Sequence, residues 1–257
     1  MLLKLFLDIS NETLLKEIKS FFIQNEASIN PEESRQIITA FTNSCSLNLL
    51  QARSGYAKHR FDLGRLLAEQ EHIIVENYVP HQHFRNTLRI AIEAGELTWA
   101  KWFIDTFISK VKSDQQENLA IFNRALLHFE EGNFDLQSDF MQAMGASNFK
   151  FINLFYEIDY RILSIKTDFA LLRPRPKRMA IEAFESKLDS FRNFLNRREH
   201  MPNDYRASCQ NFRKAVSMLF HKRIGKRVKA QNLSLELKKM TPITQWVWLE
   251  KILMKIT

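Results

Sequence analysis

At 257 residues, 45% of them apolar, the chain is long enough to bury its own core without disulfide staples. Its six Gly and six Pro amount to about 5% of residues against the ~12% of average proteins, which excludes folds made of many short strands and leaves few, long helices. The net charge of +8 is split unevenly: residues 1–172 carry 17 Lys+Arg against 22 Asp+Glu (net −5), and residues 173–257 carry 20 against 7 (net +13), so the C-terminal part is suited to phosphate, an acidic partner, or acidic surface of this chain or another copy.

In chain order, helices are expected at roughly 2–9, 11–26, 31–53 and 58–77. The first, in MLLKLFLDIS, holds Lys4 and Asp8 inside its apolar run and lacks a small-residue cleavage site, so it reads as a helix that caps the array or continues from upstream chain. The third opens on Pro31-Glu32-Glu33, a proline at the first turn followed by negative charge near the positive end of the helix dipole. From Pro80 a stripe of Phe84, Leu88, Ala91 and Ile92 follows the 3.6-residue period, and Gly95 ends it. Trp99, Ala100, Phe103, Ile104 and Phe107 form the stripe of the helix that returns, completing an αα-hairpin. The pattern recurs in a helix from Asn118 to Glu131, ended by Gly132, and another from Phe134 to Met144.

Gly95 and Gly132 are 37 positions apart, and a third turn is expected as far again beyond, near Lys166-Thr167-Asp168, between a helix at Phe149–Ile165 and one at Lys177–Arg198. Arg173-Pro174-Arg175-Pro176-Lys177-Arg178 is read as an extended basic loop, because two prolines forbid helix there. Helices near Asn203–Lys229, near Leu233–Met240 and after Thr241-Pro242 complete the chain. The expectation is an all-α protein, roughly three-quarters helix and without sheet. Its organisation is N-terminal helices over 1–79, helix-hairpin repeats over 80–198 and a basic C-terminal section over 199–257.

The run from Phe84 through Gly95-Glu96-Leu97-Thr98-Trp99-Ala100 to Ile104 resembles the helix pair of the tetratricopeptide repeat, with Gly95 at the turn and Ala100 at the small, close-contact position of the second helix. In the second unit that small position carries Gln137 or Ser138. Residues 70–257 are also similar to a group of uncharacterised bacterial helical-repeat proteins, through Gly95–Ala100, Leu188–Arg192 and Trp248–Ile252 in that order. The resemblance implies hairpins stacked as a tetratricopeptide-like α-solenoid, serving as a scaffold for protein–protein interaction; for the bacterial group it implies no established activity.

Chemistry-bearing motifs are sparse. His81-Gln82-His83 is the nearest approach to a metal pair, but no Cys, Asp or further His stands beside it. Glu69-x-x-His72 is half of a di-iron carboxylate pattern without its second half, and His128 with Glu130 and Glu131 merely flanks a turn. No nucleophile elbow, phosphate loop or dinucleotide fingerprint occurs, so neither enzyme activity nor a cofactor is expected. Cys45 and Cys209 form no framework and fit a reducing compartment; with no apolar run approaching the ~18 residues of a membrane span, a cytoplasmic protein is expected. The aromatic residues read as core, with one of Trp246 and Trp248 left at a surface.

The candidate binding surface is basic: Arg173, Arg175, Lys177 and Arg178 in the loop, and Lys222, Arg223, Lys226, Arg227 and Lys229 in the segment from His221 to Lys229, with Arg197-Arg198 nearby in sequence. Lys222, Arg223, Lys226 and Arg227 are expected to be exposed opposite the apolar stripe from Tyr205 to Phe220. The expected partner is another protein, and the alternative is a nucleic acid held by counterion release.

Overall fold

The computed structural model describes residues 11–25, 28–145, 149–173, 175–226 and 232–256. Helix accounts for 78% of them and no strand is present, as composition implied. The helix expected at 2–9 lies outside the described residues. Two compact units are formed, one from the residues up to Asn48 with Gly55–Tyr156, the other from Leu49–Ser54 with Glu157 onwards.

The first unit contains α1 (Glu12–Asn25), most of α2 (Pro31–Leu50), α3 (Tyr56–Gly64), the single turn α4 (Leu66–Glu69), α5 (His81–Ala94), α6 (Leu97–Phe107), α7 (Ser113–Glu131) and α8 (Phe134–Gly145). Asn30 and Glu33 cap α2 reciprocally: the Asn30 Oδ1 accepts from the Glu33 N–H at 2.9 Å and a Glu33 carboxylate oxygen accepts from the Asn30 N–H at 3.4 Å. The two expected hairpins form as α5–α6 and α7–α8. Gly95 (φ +82°) and Gly132 (φ +75°) end their helices in the left-handed conformation. Each supplies a C-terminal cap in which its own N–H and that of the next residue reach back to the last turn, Gly95 to the Ile92 oxygen at 3.0 Å and Glu96 to the Ala91 oxygen at 2.9 Å. Ala100 is wholly buried, and Gln137 fills the corresponding buried place in α8. Helices adjacent in sequence pack together, α5 with α6, α6 with α7, and α7 with α8, while α3 lies against α5. Gly64 permits that last approach, since a Cβ there would sit 3.1 Å from Ile90 Cδ1 and 3.3 Å from Thr42 Cγ2.

The helix expected over 58–77 is broken. After α4 the chain turns tightly at Glu76-Asn77, both at positive φ, and Val75 and Tyr78 exchange two backbone hydrogen bonds of 2.8 and 3.1 Å. This turn brings Ile73 and Val79 into the core.

The second unit contains most of α9 (Leu154–Leu171), α10 (Arg178–Asn196), α11 (Asn203–Arg223), α12 (Leu233–Lys239) and α13 (Trp246–Ile256). The turn expected at Lys166-Thr167-Asp168 does not form there: α9 runs through it, with the Thr167 hydroxyl donating to the Leu163 oxygen at 2.8 Å, because the Lys166 stem is buried with its ammonium 5.6 Å from the Trp248 ring. The helix ends at Leu171 and the next begins at Arg178, so the interval of 37 is not repeated beyond Gly132. The helix expected from Asn203 to Lys229 stops at Arg223 with Gly225 at φ +76°, the Lys226 N–H reaching the His221 oxygen at 2.9 Å. Both Trp246 and Trp248 are buried, contrary to the expectation that one would face out. Trp248 meets Phe169 of α9 and Phe212 of α11, so α13 is covered on more than one side and residues two apart both find core.

Candidate basic binding surface

Three segments of the second unit converge at one end. The last turn of α9 delivers Leu171, the segment from Leu172 to Lys177 carries Arg173 and Arg175, and the last turn of α11 carries His221, Lys222 and Arg223. Arg223 joins them. Its two Nη groups donate to the Phe169 oxygen at 2.6 Å and the Leu172 oxygen at 2.5 Å, and its guanidinium lies 5.1 Å from the centre of the Phe169 ring. The last carbonyls of a helix have no partner within it, and here a planar, two-pronged cation from another helix satisfies two acceptors at the α9 terminus. Arg223 is therefore half-buried and structural, which corrects its expected place among the solvated cations.

The other described residues of the predicted cluster are exposed: Arg173, Arg175, Lys177, Arg178, Lys222 and Lys226. Arg227 and Lys229 lie outside the described residues. Arg178 pairs with Glu182 at 2.7 Å, and Glu185 accepts from Lys226 at 3.1 Å and meets His221 at 3.3 Å. The Lys226 ammonium, with His221 beside it, holds the Glu185 carboxyl below its ordinary range. Among the described residues Arg173, Arg175, Lys177 and Lys222 have neither an ion pair nor a side-chain hydrogen bond. Counting the seven described cations (Arg173, Arg175, Lys177, Arg178, Lys222, Arg223, Lys226) against Glu182 and Glu185, the end carries 7 − 2 = +5. Lys177 caps α10 without a side-chain hydrogen bond and no acidic residue occupies its first turn, so the positive pole of that helix adds to the field of the cations.

Two apolar side chains stand among these charges, Leu171 at 57% exposure and Met179 at 81%. Sequence reasoning passed over both because an apolar residue next to a helical stripe is read as core; their position at the rim of a proline-bounded loop was the available signal. Arg197 and Arg198, grouped with the cluster by charge, sit at the far end of α10, about 28 Å along its axis from Arg178. They belong to a different surface.

The remaining motifs are placed apart. His81 packs its ring 5.9 Å from that of Tyr156, whereas His83 engages the backbone of Ile73, so the two imidazoles face different neighbours. Among the described residues no three His, Cys, Asp or Glu side chains gather as a metal site. Cys45 and Cys209 are buried free thiols, and burial pushes that of Cys45 up to about 12. No helix among the described residues is long and apolar enough to cross a membrane. Compared with protein-family models, with curated proteins and with solved structures, the chain matches none. It is an all-helical protein whose helices pack mostly in chain order.

Proposed function

We propose that the protein is a non-enzymatic helical-repeat scaffold, its hairpins stacked in a tetratricopeptide-like manner, that binds an acidic protein partner through the basic end of the second unit. The observation that carries this reading is the bridge from Arg223 to the Phe169 and Leu172 carbonyls, which gathers cations distant in sequence into one surface together with exposed Leu171 and Met179. Arg and Met are enriched at protein interfaces, and exposed apolar side chains among cations suit a protein surface, where the charges speed encounter and the apolar groups add desolvation. Nucleic acid is the second reading, favoured by the cations that have no carboxylate partner.

The test compares wild type with two variants, one replacing Arg175, Lys177, Lys222 and Lys226 by Gln and one carrying Leu171→Ser with Met179→Ser. Binding to proteins from cell extract and to unrelated oligonucleotides is measured at two salt concentrations. A protein partner is expected to be lost with either variant. Binding of oligonucleotides that is lost only with the charge variant, and that falls steeply with salt, would replace the first reading by the second. Unchanged binding in both variants would remove this surface from consideration.

A further inference from the structure

The far end of α10 carries a second basic feature, separate from the proposed partner surface. A groove of about 580 Å³ opens along the outer face of α10 beside Arg161 of α9. This volume is in the range of small-ligand sites, commonly 300–1,000 Å³. Its spacing is helical: Asp189, Ser190, Asn193 and Arg197 recur at intervals of one, three and four along one face, so small polar side chains form the floor and guanidinium groups close one end.

Two of its three arginines, Arg161 and Arg198, are held in advance. The Glu157 carboxylate accepts from Arg161 Nη2 at 2.9 Å on one oxygen and from Arg198 Nη2 at 3.1 Å on the other. Both guanidinium groups lie against the Phe194 ring, 4.0 and 4.6 Å from its centre. One carboxylate thus serves two guanidinium groups, and Arg197 beside them has no ion pair or side-chain hydrogen bond among the described residues. Capping does not account for Arg197, because Arg206 already donates to the carbonyl oxygens of Arg198, Glu199 and Met201 past the end of α10. The Ser190 hydroxyl and Asn193 amide likewise make no side-chain hydrogen bond among the described residues.

We infer that this groove binds a phosphomonoester of a small hydroxylated molecule, of the sugar-phosphate class. The Arg198 guanidinium, stacked on the Phe194 ring, loses little freedom on binding, and both it and that of Arg197 present the forked donors that match phosphate oxygens. Arg197 and Arg198 hold the phosphoryl group, with Asn193 and Ser190 completing its oxygens. Asp189, paired on one side with Arg192 at 3.4 Å, lies about 12 Å along the helix from Arg197 and accepts from hydroxyls at the other end of the ligand.

Titration calorimetry of the full chain with ribose 5-phosphate, inorganic phosphate and unphosphorylated ribose tests this. Ribose 5-phosphate is expected to bind saturably at one site, inorganic phosphate more weakly, and ribose not at all. Arg197→Gln, at an exposed position with no ion pair or side-chain hydrogen bond among the described residues to lose, should weaken both phosphate ligands about tenfold or more, the effect of losing a charged hydrogen bond. Asp189→Asn should weaken ribose 5-phosphate alone, and Lys222→Gln at the other basic end should change neither. Absence of saturable binding in the millimolar range would overturn the inference, as would an equal loss with Lys222→Gln, which would reduce the effect to overall charge.

Discussion

Replacing Arg223 tests whether the basic end is a built surface or a set of independent solvated charges. Arg223→Met keeps most of the apolar stem and removes two charged donors from the Phe169 and Leu172 oxygens and a cation from the Phe169 ring. Each charged hydrogen bond is worth about 1.5 kcal/mol or more, and a cation over an aromatic face about 0.5–1 kcal/mol. Because the guanidinium is only half-buried, water replaces part of what is lost, and the net cost is about 2 kcal/mol. Arg223→Lys should lose most of the same stability, since an ammonium on a flexible stem lacks the planar fork that spans two carbonyls. Lys222→Gln, one residue away and unpaired, should stay within about 0.5 kcal/mol of wild type. Urea denaturation followed by circular dichroism gives the stabilities, and hydrogen exchange of the amides of Leu172, Arg173, Arg175 and Lys177 reports whether the loop has loosened. If Arg223→Met and Lys222→Gln have the same midpoint and the loop amides exchange no faster, the bridge contributes nothing and the convergence of the two basic segments loses its cause.

Two further expectations concern the first unit. Ala100→Phe, placed where α6 closes on its neighbours without exposure, should overpack the site and cost about 1–3 kcal/mol, measured as a lower urea midpoint; an unchanged midpoint would mean the contact is slack. Burial, with Arg85 nearby as the lesser cause, lowers the pKa of His81 below its ordinary 6.5, so the folded protein favours the neutral ring and the unfolded chain binds the proton more readily. Stability from this group is complete above about pH 6.5 and declines as pH falls through that value, and His81→Gln should flatten the decline between about pH 7 and 5.

The parts of the fold legible in the sequence are those specified locally. Gly95 and Gly132 end helices because a left-handed residue there is cheapest without a Cβ, and Ala100 is small where helices close, so hairpins α5–α6 and α7–α8 followed from residue types and spacing. The misplaced elements depended on contacts remote in sequence. Lys166-Thr167-Asp168 is expected as a turn because it lies about one repeat interval beyond Gly132, yet the Lys166 stem is covered in a unit that also brings Trp248 to it, and the helix continues. Glu76-Asn77 was hidden inside a plausible helical phase. The candidate site shows the same division: its cations were evident from composition, but the role of Arg223 required knowing that the end of α11 reaches the end of α9.

Charge stoichiometry explains why the C-terminal part keeps unpaired cations. In the first unit Lys19 and Lys58 share Asp62, Arg60 and Arg89 share Glu93, and Lys110 pairs with Glu71, so basic side chains are absorbed into contacts that hold helices together. Residues 173–257 have 20 cations and 7 carboxylates; even if every carboxylate there neutralised one cation, 20 − 7 = 13 would find no partner within the segment. No arrangement of that segment alone removes this surplus, and a like-charged surface works against the compact state. Screening by salt should therefore raise the stability of the free protein while weakening its binding to any acidic partner. Opposed salt responses of fold and binding are what a surface selected for an anion should show. A surface merely kept in solution by its charge would show the first response without the second.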